Sequence, residues 1–149
     1  MAFSWEPFGR TRVEDPQPPA APRGAPPETQ PAAPAALSNR PVRGLAVLTC
    51  MDCRIDPLAA LGLSLGDAVV LRNAGAQVSD DVLRSLQMAH DVLGVRTVHV
   101  IGHTDCAAHG GDAQVAANEA ANGADRIRGV IPSLQARSGL LDLQTGTVR

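Results

Sequence analysis

The stretch Leu45-Ala-Val-Leu-Thr-Cys-Met-Asp-Cys-Arg54 decides the fold, because a short apolar run ends there in a thiol, a carboxylate and a guanidinium. Residues 97–106, Thr-Val-His-Val-Ile-Gly-His-Thr-Asp-Cys, have the same form: a second apolar run stops at a glycine and is followed by His103 and Cys106. A continuous apolar run is typical of a parallel strand buried on both faces. Reactive groups directly after two such strands predict a site at one edge of a sheet.

The residues around these two runs predict a β-(turn)-β-α-β unit. Residues 45–49, 68–71 and 95–101 are predicted strands, and residues 56–62 a short helical turn. Ser79 is a good helix N-cap, and apolar residues at three- and four-residue spacing continue from there until Gly94. We therefore expect a single α/β domain whose mostly parallel central sheet has the order 2-1-3 and is flanked by helices.

The sequence after Cys106 is less regular. Asp112 is a candidate N-cap for an alanine-rich helix reaching about Ala121, and Asp125 for a second helix that Pro132 interrupts. Residues 140–148 predict a final edge strand with a turn, which would close the sheet.

Composition separates a tail from a folded domain. Residues 1–40 hold nine of the twelve prolines and few branched aliphatic residues, and such a segment buries too little apolar surface to offset the entropy of ordering. We expect a disordered Pro/Ala-rich tail over 1–40 and one domain over 41–149. The three aromatic residues of the chain, Phe3, Trp5 and Phe8, begin this tail. They are either solvated or dock onto the domain or a partner subunit.

Charge and cysteine content favour a cytoplasmic protein. The formal net charge of -2 and the absence of a basic patch argue against nucleic acid and an anionic membrane as partners. No apolar stretch approaches the roughly 20 residues of a membrane span, and the first residues lack the pattern of a secretion signal. Three cysteines placed beside Asp, Arg and His fit metal or catalytic use better than a disulfide framework.

The residue types at the two strand ends predict a zinc site. The order 2-1-3 would bring Cys50 together with His103 and Cys106, and zinc takes thiolate and imidazole ligands in tetrahedral geometry. Three protein ligands leave one position for water, as in a catalytic zinc site, where the metal lowers the pKa of water to about 7. Two thiolates weaken zinc as a Lewis acid, so a carboxylate at Asp52 held by Arg54 is the expected aid to the reacting water.

Three motifs over about residues 44–109 resemble those of the β-class carbonic anhydrases: Cys-Met-Asp-x-Arg, Gly-Asp-Ala-x-Val-x-Arg-Asn-Ala-Gly and Gly-His-x-Asp-Cys. The resemblance implies a carbonate dehydratase that hydrates carbon dioxide to bicarbonate. It implies Cys50, His103 and Cys106 as zinc ligands, with Asp52 and Arg54 as a catalytic dyad. It also implies a homodimer or homotetramer, and an inactive state in which Asp52 leaves Arg54 and becomes the fourth zinc ligand.

Two departures from the family pattern favour other readings. Ala107 stands where the family usually carries Gly, and the second half of the chain is short and rich in glycine and alanine. These features motivate a zinc-stabilised, non-catalytic subunit with an incomplete pocket wall. Another alternative keeps fold and zinc but hydrolyses carbon disulfide or carbonyl sulfide.

Cys53 and the remaining histidines each have more than one possible role. Cys50-x-x-Cys53 is also compatible with a redox site, or with a closed zinc site of three cysteines and His103. We expect Cys53 to point away from Cys50 into the packing behind the site, because side chains alternate along an extended strand end. His90 and His99 are interpreted as structural, and His109 as a solvated loop residue or a proton shuttle.

Overall fold

The computed structural model describes residues 37–149. The aromatic cluster of Phe3, Trp5 and Phe8 and most of the predicted tail lie outside the described residues, so the tail and the boundary at residue 41 remain predictions. The described elements follow in chain order: β1 (Leu45–Cys50), α1 (Pro57–Ala60), β2 (Ala68–Asn73), a 3-10 turn (Ala74–Ala76), α2 (Asp80–Asp91), β3 (Thr97–His103), a second 3-10 turn (Ala107–His109), α3 (Ala113–Val130) and β4 (Gln135–Leu141).

The four strands form one parallel sheet in the order β2-β1-β3-β4. This confirms the predicted α/β class, the 2-1-3 order and the C-terminal edge strand. In the register, Cys50 at the end of β1 lies opposite Asn73 at the end of β2, and Thr49 lies opposite Ile101. The carboxyl ends of the three strands therefore meet at one edge of the sheet, with β1 in the middle.

The strand boundaries differ from those predicted, most of all in β3 and β4. β3 begins at Thr97 rather than residue 95, because the Val95 N–H bonds to the carbonyl of Ala89 and continues the turn that ends α2. β3 also ends at His103 rather than residue 101, so this histidine is the last residue of the strand. β4 begins at Gln135 rather than residue 140. Its first half carries exposed polar residues on an edge strand, which hides the apolar pattern that marks a buried one.

The second half of the chain contains one long helix where two short ones were predicted. Helix α3 has 18 residues, and the Asp112 carboxylate caps it by accepting from the N–H groups of Gln114 and Val115. Asp125 lies inside this helix instead of starting another. Glycine is favoured at position 123 although the residue lies within a helix, because a Cβ there would come within 2.8 Å of Val78 Cγ2.

Helices α2 and α3 cover the first face of the sheet. Ser79 Oγ accepts from the Val82 N–H and caps α2, as predicted. Helix α3 contributes buried alanines, which let its backbone approach the sheet: a Cβ on Gly102 would lie 2.7 Å from the Ala116 carbonyl oxygen. The alanine content that suggested an incomplete structure therefore reflects close helix-to-sheet packing.

A smaller cluster packs on the second face, where residues 55–63 cover Val47 and Ile101. Thr49 lies on this face with its hydroxyl buried and without a hydrogen-bond partner among residues 37–149. In the middle of the edge strand β2, Val70 remains 38% exposed. None of the helices in residues 37–149 is both long and apolar enough to cross a membrane.

Candidate metal centre

The ends of β1 and β3 bring together the three side chains predicted as ligands. The ligand atoms of Cys50, His103 and Cys106 all lie within 4.8 Å of one another, and all three residues are buried. The two sulfurs are 3.9 Å apart. His103 reaches this cluster as the last residue of β3, and Cys106 follows from the tight turn after it.

The His103 ring is oriented by a backbone carbonyl. Its Nδ1 lies 2.8 Å from the Thr104 carbonyl oxygen, so Nδ1 carries the proton and donates it there. Its Nε2 is buried and has no partner within the described chain. A buried nitrogen with a free lone pair beside two thiols is the state in which histidine binds a metal, with the carbonyl fixing the tautomer.

The Gly75 N–H donates a hydrogen bond to Cys50 Sγ at 3.3 Å. Burial raises the pKa of the Cys106 thiol, the backbone N–H of Ala108 opposes that rise, and the neighbouring Cys50 adds to it. A bound cation would favour both thiolates and reverse this balance.

These residues fit a zinc ion. Two sulfurs each about 2.3 Å from zinc in tetrahedral geometry lie about 3.8 Å apart, and the observed separation is 3.9 Å. The orphaned His103 Nε2 supplies a third ligand of the type zinc prefers. The three side chains leave one tetrahedral position for another group.

Cys53 does not belong to this cluster. The prediction that it points away from Cys50 agrees with this, but the prediction that it is buried was wrong, because its thiol is exposed. Residues 53 and 54 form a turn after β1, so the chain there has left the packed sheet. An exposed thiol outside the cluster does not provide the fourth ligand of a closed site.

Asp52 and Arg54 form the ion pair beside the cluster. The carboxylate accepts from Arg54 Nε at 3.0 Å and Nη2 at 2.7 Å, and also from the Arg54 backbone N–H. These bonds hold the pKa of the Asp52 carboxyl well below its usual range. Its Oδ2 lies 4.0 Å from His103 Nε2, so a charged carboxylate faces the ligand cluster.

Arg72 braces the segment that carries this pair, a role that sequence analysis missed. Its Nε donates to the Cys50 carbonyl at 3.0 Å and its Nη2 to the Asp52 carbonyl at 2.7 Å. The signal was present, because an arginine stands near the carboxyl end of the neighbouring β2 strand. It fixes the backbone on both sides of Met51 and so sets the position of the thiol relative to the carboxylate.

Sequence analysis also missed the supporting contacts of Asp105 and His109. Asp105 binds the outer side of Arg54, through Oδ2 to Nη1 at 2.8 Å and through its carbonyl to Nη2 at 3.1 Å. His109 is half-buried, and its Nε2 bonds to the Gly75 carbonyl at 3.1 Å. The interpretation of His109 as a solvated loop residue was therefore wrong: it holds the glycine whose N–H reaches Cys50.

The other singled-out residues have structural roles. His90 Nδ1 bonds to the Val95 carbonyl at 2.7 Å and Nε2 to Ser133 Oγ at 2.8 Å, which confirms it as a satisfied histidine. His99 lies within β3, away from the ligand cluster. Ala107 lies in an exposed 3-10 turn and is not among the described residues with positive φ, so alanine fits there without strain.

The site and the fold together define a protein class. The sequence profile described as carbonic anhydrase matches residues 45–142, and the chain belongs to this family, in its β class. β-Carbonic anhydrase 1 of Mycobacterium tuberculosis H37Rv is 46% identical over 70 residues, which cover 47% of this chain and 43% of that protein. The chain thus matches less than half the length of this relative.

Two further similarities bear on fold and substrate. Carbonic anhydrase from Streptococcus mutans has a solved structure with a TM-score of 0.71 and 29% identity, covering 78% of this chain and 86% of that one. A carbon disulfide hydrolase from Saccharolobus solfataricus is 45% identical over 64 residues, which are 43% of this chain and 31% of that enzyme. The identity is therefore similar for two relatives whose names state different activities.

Proposed function

We propose that this protein catalyses the reversible hydration of carbon dioxide to bicarbonate with a zinc ion held by Cys50, His103 and Cys106. The observation that carries this proposal is the geometry of the strand ends. Three zinc-type ligand atoms lie within 4.8 Å of one another, and the Asp52 carboxylate stands 4.0 Å from the His103 nitrogen. Membership of the carbonic anhydrase family supports the assignment.

Zinc in such a site lowers the pKa of water, so that hydroxide is available at neutral pH. The chain supplies orientation. Asp52 stays ionised because Arg54 donates to both of its oxygens, and an ionised carboxylate accepts a hydrogen bond from the attacking hydroxyl group, turning a lone pair toward carbon dioxide. The oxygen then forms a bond to carbon as the π pair of one C=O bond moves onto its oxygen. Bicarbonate leaves, and the proton lost when water ionised passes to solvent.

Arg54 has a second role in this proposal, which is to keep Asp52 away from the fourth ligand position. The bidentate bonds at 3.0 and 2.7 Å hold the carboxylate beside the cluster. If they break, Asp52 is close enough to occupy the position needed by water. The Asp52–Arg54 pair would therefore separate an active from an inactive state.

The proposal includes an oligomer in a reducing compartment. Parallel sheets are normally covered on both faces, whereas Val70 remains 38% exposed and Leu65 60% exposed. A homodimer or homotetramer covers such surface, as the family resemblance implies. The three free thiols support a cytoplasmic location, where thiols stay reduced.

Hydrolysis of carbon disulfide or carbonyl sulfide is the alternative substrate assignment. It is favoured by the 45% identity to a carbon disulfide hydrolase over 64 residues. The same three ligands and ion pair suit an attack of hydroxide on any linear, electrophilic carbon of this kind. The groups at the metal site do not distinguish the substrates.

The two sequence features that suggested a non-catalytic subunit, Ala107 and the short second half of the chain, both have a structural explanation. Helix α3 is a full 18-residue element that packs on the sheet, and Ala107 is accommodated without strain. The closed structural site is not supported either, since Cys53 is exposed and outside the cluster.

Stopped-flow measurement of carbon dioxide hydration tests the proposal. The zinc-loaded full chain should accelerate hydration, and loss of zinc in Cys106→Ala should remove the acceleration. Consumption of carbon disulfide and carbonyl sulfide is measured in parallel on the same preparation. A protein with one zinc per chain that hydrolyses a sulfur compound but does not hydrate carbon dioxide would overturn this assignment in favour of the alternative.

A further inference from the structure

The guanidinium of Arg54 is held by two aspartates on different sides. The Asp52 carboxylate accepts hydrogen bonds from Nε and Nη2, as described above. Asp105 accepts a hydrogen bond from Nη1 with its carboxylate at 2.8 Å, and one from Nη2 with its backbone carbonyl at 3.1 Å. A guanidinium has five N–H donors in one rigid plane, so contacts along two of its edges fix the orientation of that plane as well as its position.

The backbone at Asp105 is shaped for this contact. Its φ is 54°, and among the described residues Ala76 is the only other non-glycine residue with positive φ. Such a conformation costs free energy, and residues that keep it cluster at functional sites. It lets one residue present both its carboxylate and its carbonyl to the same arginine.

Stability alone does not account for the arrangement. The Asp105 side chain is 75% exposed and the Arg54 side chain 50% exposed, and exposed ion pairs contribute little to folding stability. Asp52, by contrast, is only 14% exposed and faces the ligand cluster. The inner aspartate is thus placed for chemistry, while the outer one is exposed and its carboxylate pairs with the arginine.

We propose that Asp105 is a positioning residue, which keeps the Nε and Nη2 edge of Arg54 turned toward Asp52. An arginine held by Asp52 alone would rotate with it whenever the carboxylate moves. Held by Asp105 as well, the guanidinium stays in place and Asp52 returns to it. This role rests on the proposed function only for its effect on turnover; the effect on Arg54 is a property of the chain itself.

The test uses two substitutions that the positive φ tolerates. Asp105→Gly removes the carboxylate but leaves the backbone carbonyl that binds Nη2, and Asp105→Asn restores an acceptor without the charge. In ¹⁵N-labelled protein, the exchange of the Arg54 Nε proton with water is measured by NMR, with Arg54→Lys identifying the signal. We expect exchange about three- to fivefold faster in Asp105→Gly, as for loss of an exposed charged pair, and partial rescue in Asp105→Asn.

Turnover is measured on the same zinc-loaded proteins. kcat for carbon dioxide hydration should fall about three- to fivefold in Asp105→Gly, with KM, zinc content and thermal midpoint unchanged. Asp81→Asn is the matched control, because Asp81 forms an exposed ion pair with Arg84 at 2.7 Å. It should alter neither the Arg54 signal nor kcat.

The outcomes separate the two hypotheses. If exchange at Arg54 in Asp105→Gly equals that of the unmodified protein, the positioning role is wrong, whatever the activity. Loss of zinc or of thermal stability with an unchanged Arg54 signal would likewise reassign Asp105 as a structural residue of the turn. If Arg54 exchange rises but the unmodified protein does not hydrate carbon dioxide, the positioning role stands and the proposed function fails.

Discussion

The Sγ of Cys50 lies 3.9 Å from the Sγ of Cys106, although 56 positions separate the two residues in the chain. A metal bound here would join the ends of β1 and β3, and a metal that joins distant segments couples its binding to folding. We predict one zinc per chain in purified protein, and loss of most of it in Cys106→Ala, as measured by elemental analysis.

Cys53→Ser is the matched control for that measurement, because its thiol is exposed and outside the cluster. Zinc content and carbon dioxide hydration should both be unchanged in this variant. Undiminished zinc in Cys106→Ala contradicts the ligand assignment, and a large loss of zinc in Cys53→Ser would favour the closed site of three cysteines and one histidine.

Asp52→Asn should lower carbon dioxide hydration about 100-fold or more while zinc stays bound. The amide carries no charge, accepts with one oxygen instead of two, and leaves Arg54 without its bidentate partner. Stopped-flow rates and zinc content are compared with those of Asp81→Asn, which changes an exposed ion pair elsewhere. An unchanged rate in Asp52→Asn, with normal zinc, would remove the dyad from the mechanism.

Gly102 of β3, which packs against α3, and Gly129 of α3 should respond to alanine in opposite directions. A Cβ at Gly102 would lie 2.7 Å from the Ala116 carbonyl oxygen, so Gly102→Ala should destabilise the protein by about 1–3 kcal/mol. Gly129 lies in α3 with open space around it, so Gly129→Ala should stabilise by about 0.5–1 kcal/mol. Urea unfolding measures both; equal effects would show that helix-to-sheet contact is looser than the structure has it.

His99 should make folding stability depend on pH. Burial lowers the pKa of its imidazole below the ordinary 6.5, and the charge of Arg137 on β4 lowers it further. The unfolded chain therefore binds this proton more readily than the folded one. The stability that neutral His99 contributes is full above about pH 6.5 and is lost as pH falls from there through the folded-state pKa.

The measurement is the free energy of unfolding at pH 7.5 and 5.5. The loss between these pH values should be smaller in His99→Gln than in the unmodified protein. Arg137→Gln should move the His99 pKa, followed by NMR, back toward its ordinary value. If the free energy of unfolding depends on pH identically in His99→Gln, the loss of stability at low pH arises from other groups.

Much of the fold was predictable because local signals and topology agreed. Ser79, the apolar repeat after it and Gly94 marked α2, and the apolar runs marked the two central strands. β4 was harder, since an edge strand that starts with exposed residues lacks the pattern of a buried one. Helix α3 was divided in two because Asp125 was interpreted as the N-cap of a second helix, whereas it lies inside one helix of 18 residues.

The candidate site was predictable in its ligands but not in its supports. Cys50, His103 and Cys106 follow strand ends that topology must bring together. Asp105 and Arg72 act through contacts with segments far away in sequence, at separations of 51 and 22 positions from Arg54 and Cys50. Such bonds depend on side-chain direction and on one positive φ, neither of which a single sequence specifies.

The all-parallel order β2-β1-β3-β4 also determines when the site is completed during synthesis. The central strand β1 emerges first from the ribosome, yet its partner residues follow much later: Leu45 pairs with Ala68 and with Thr97. Parallel pairs need crossover connections, and such non-local contacts form slowly. Cys50 therefore remains without its partner ligands until Cys106 has been made.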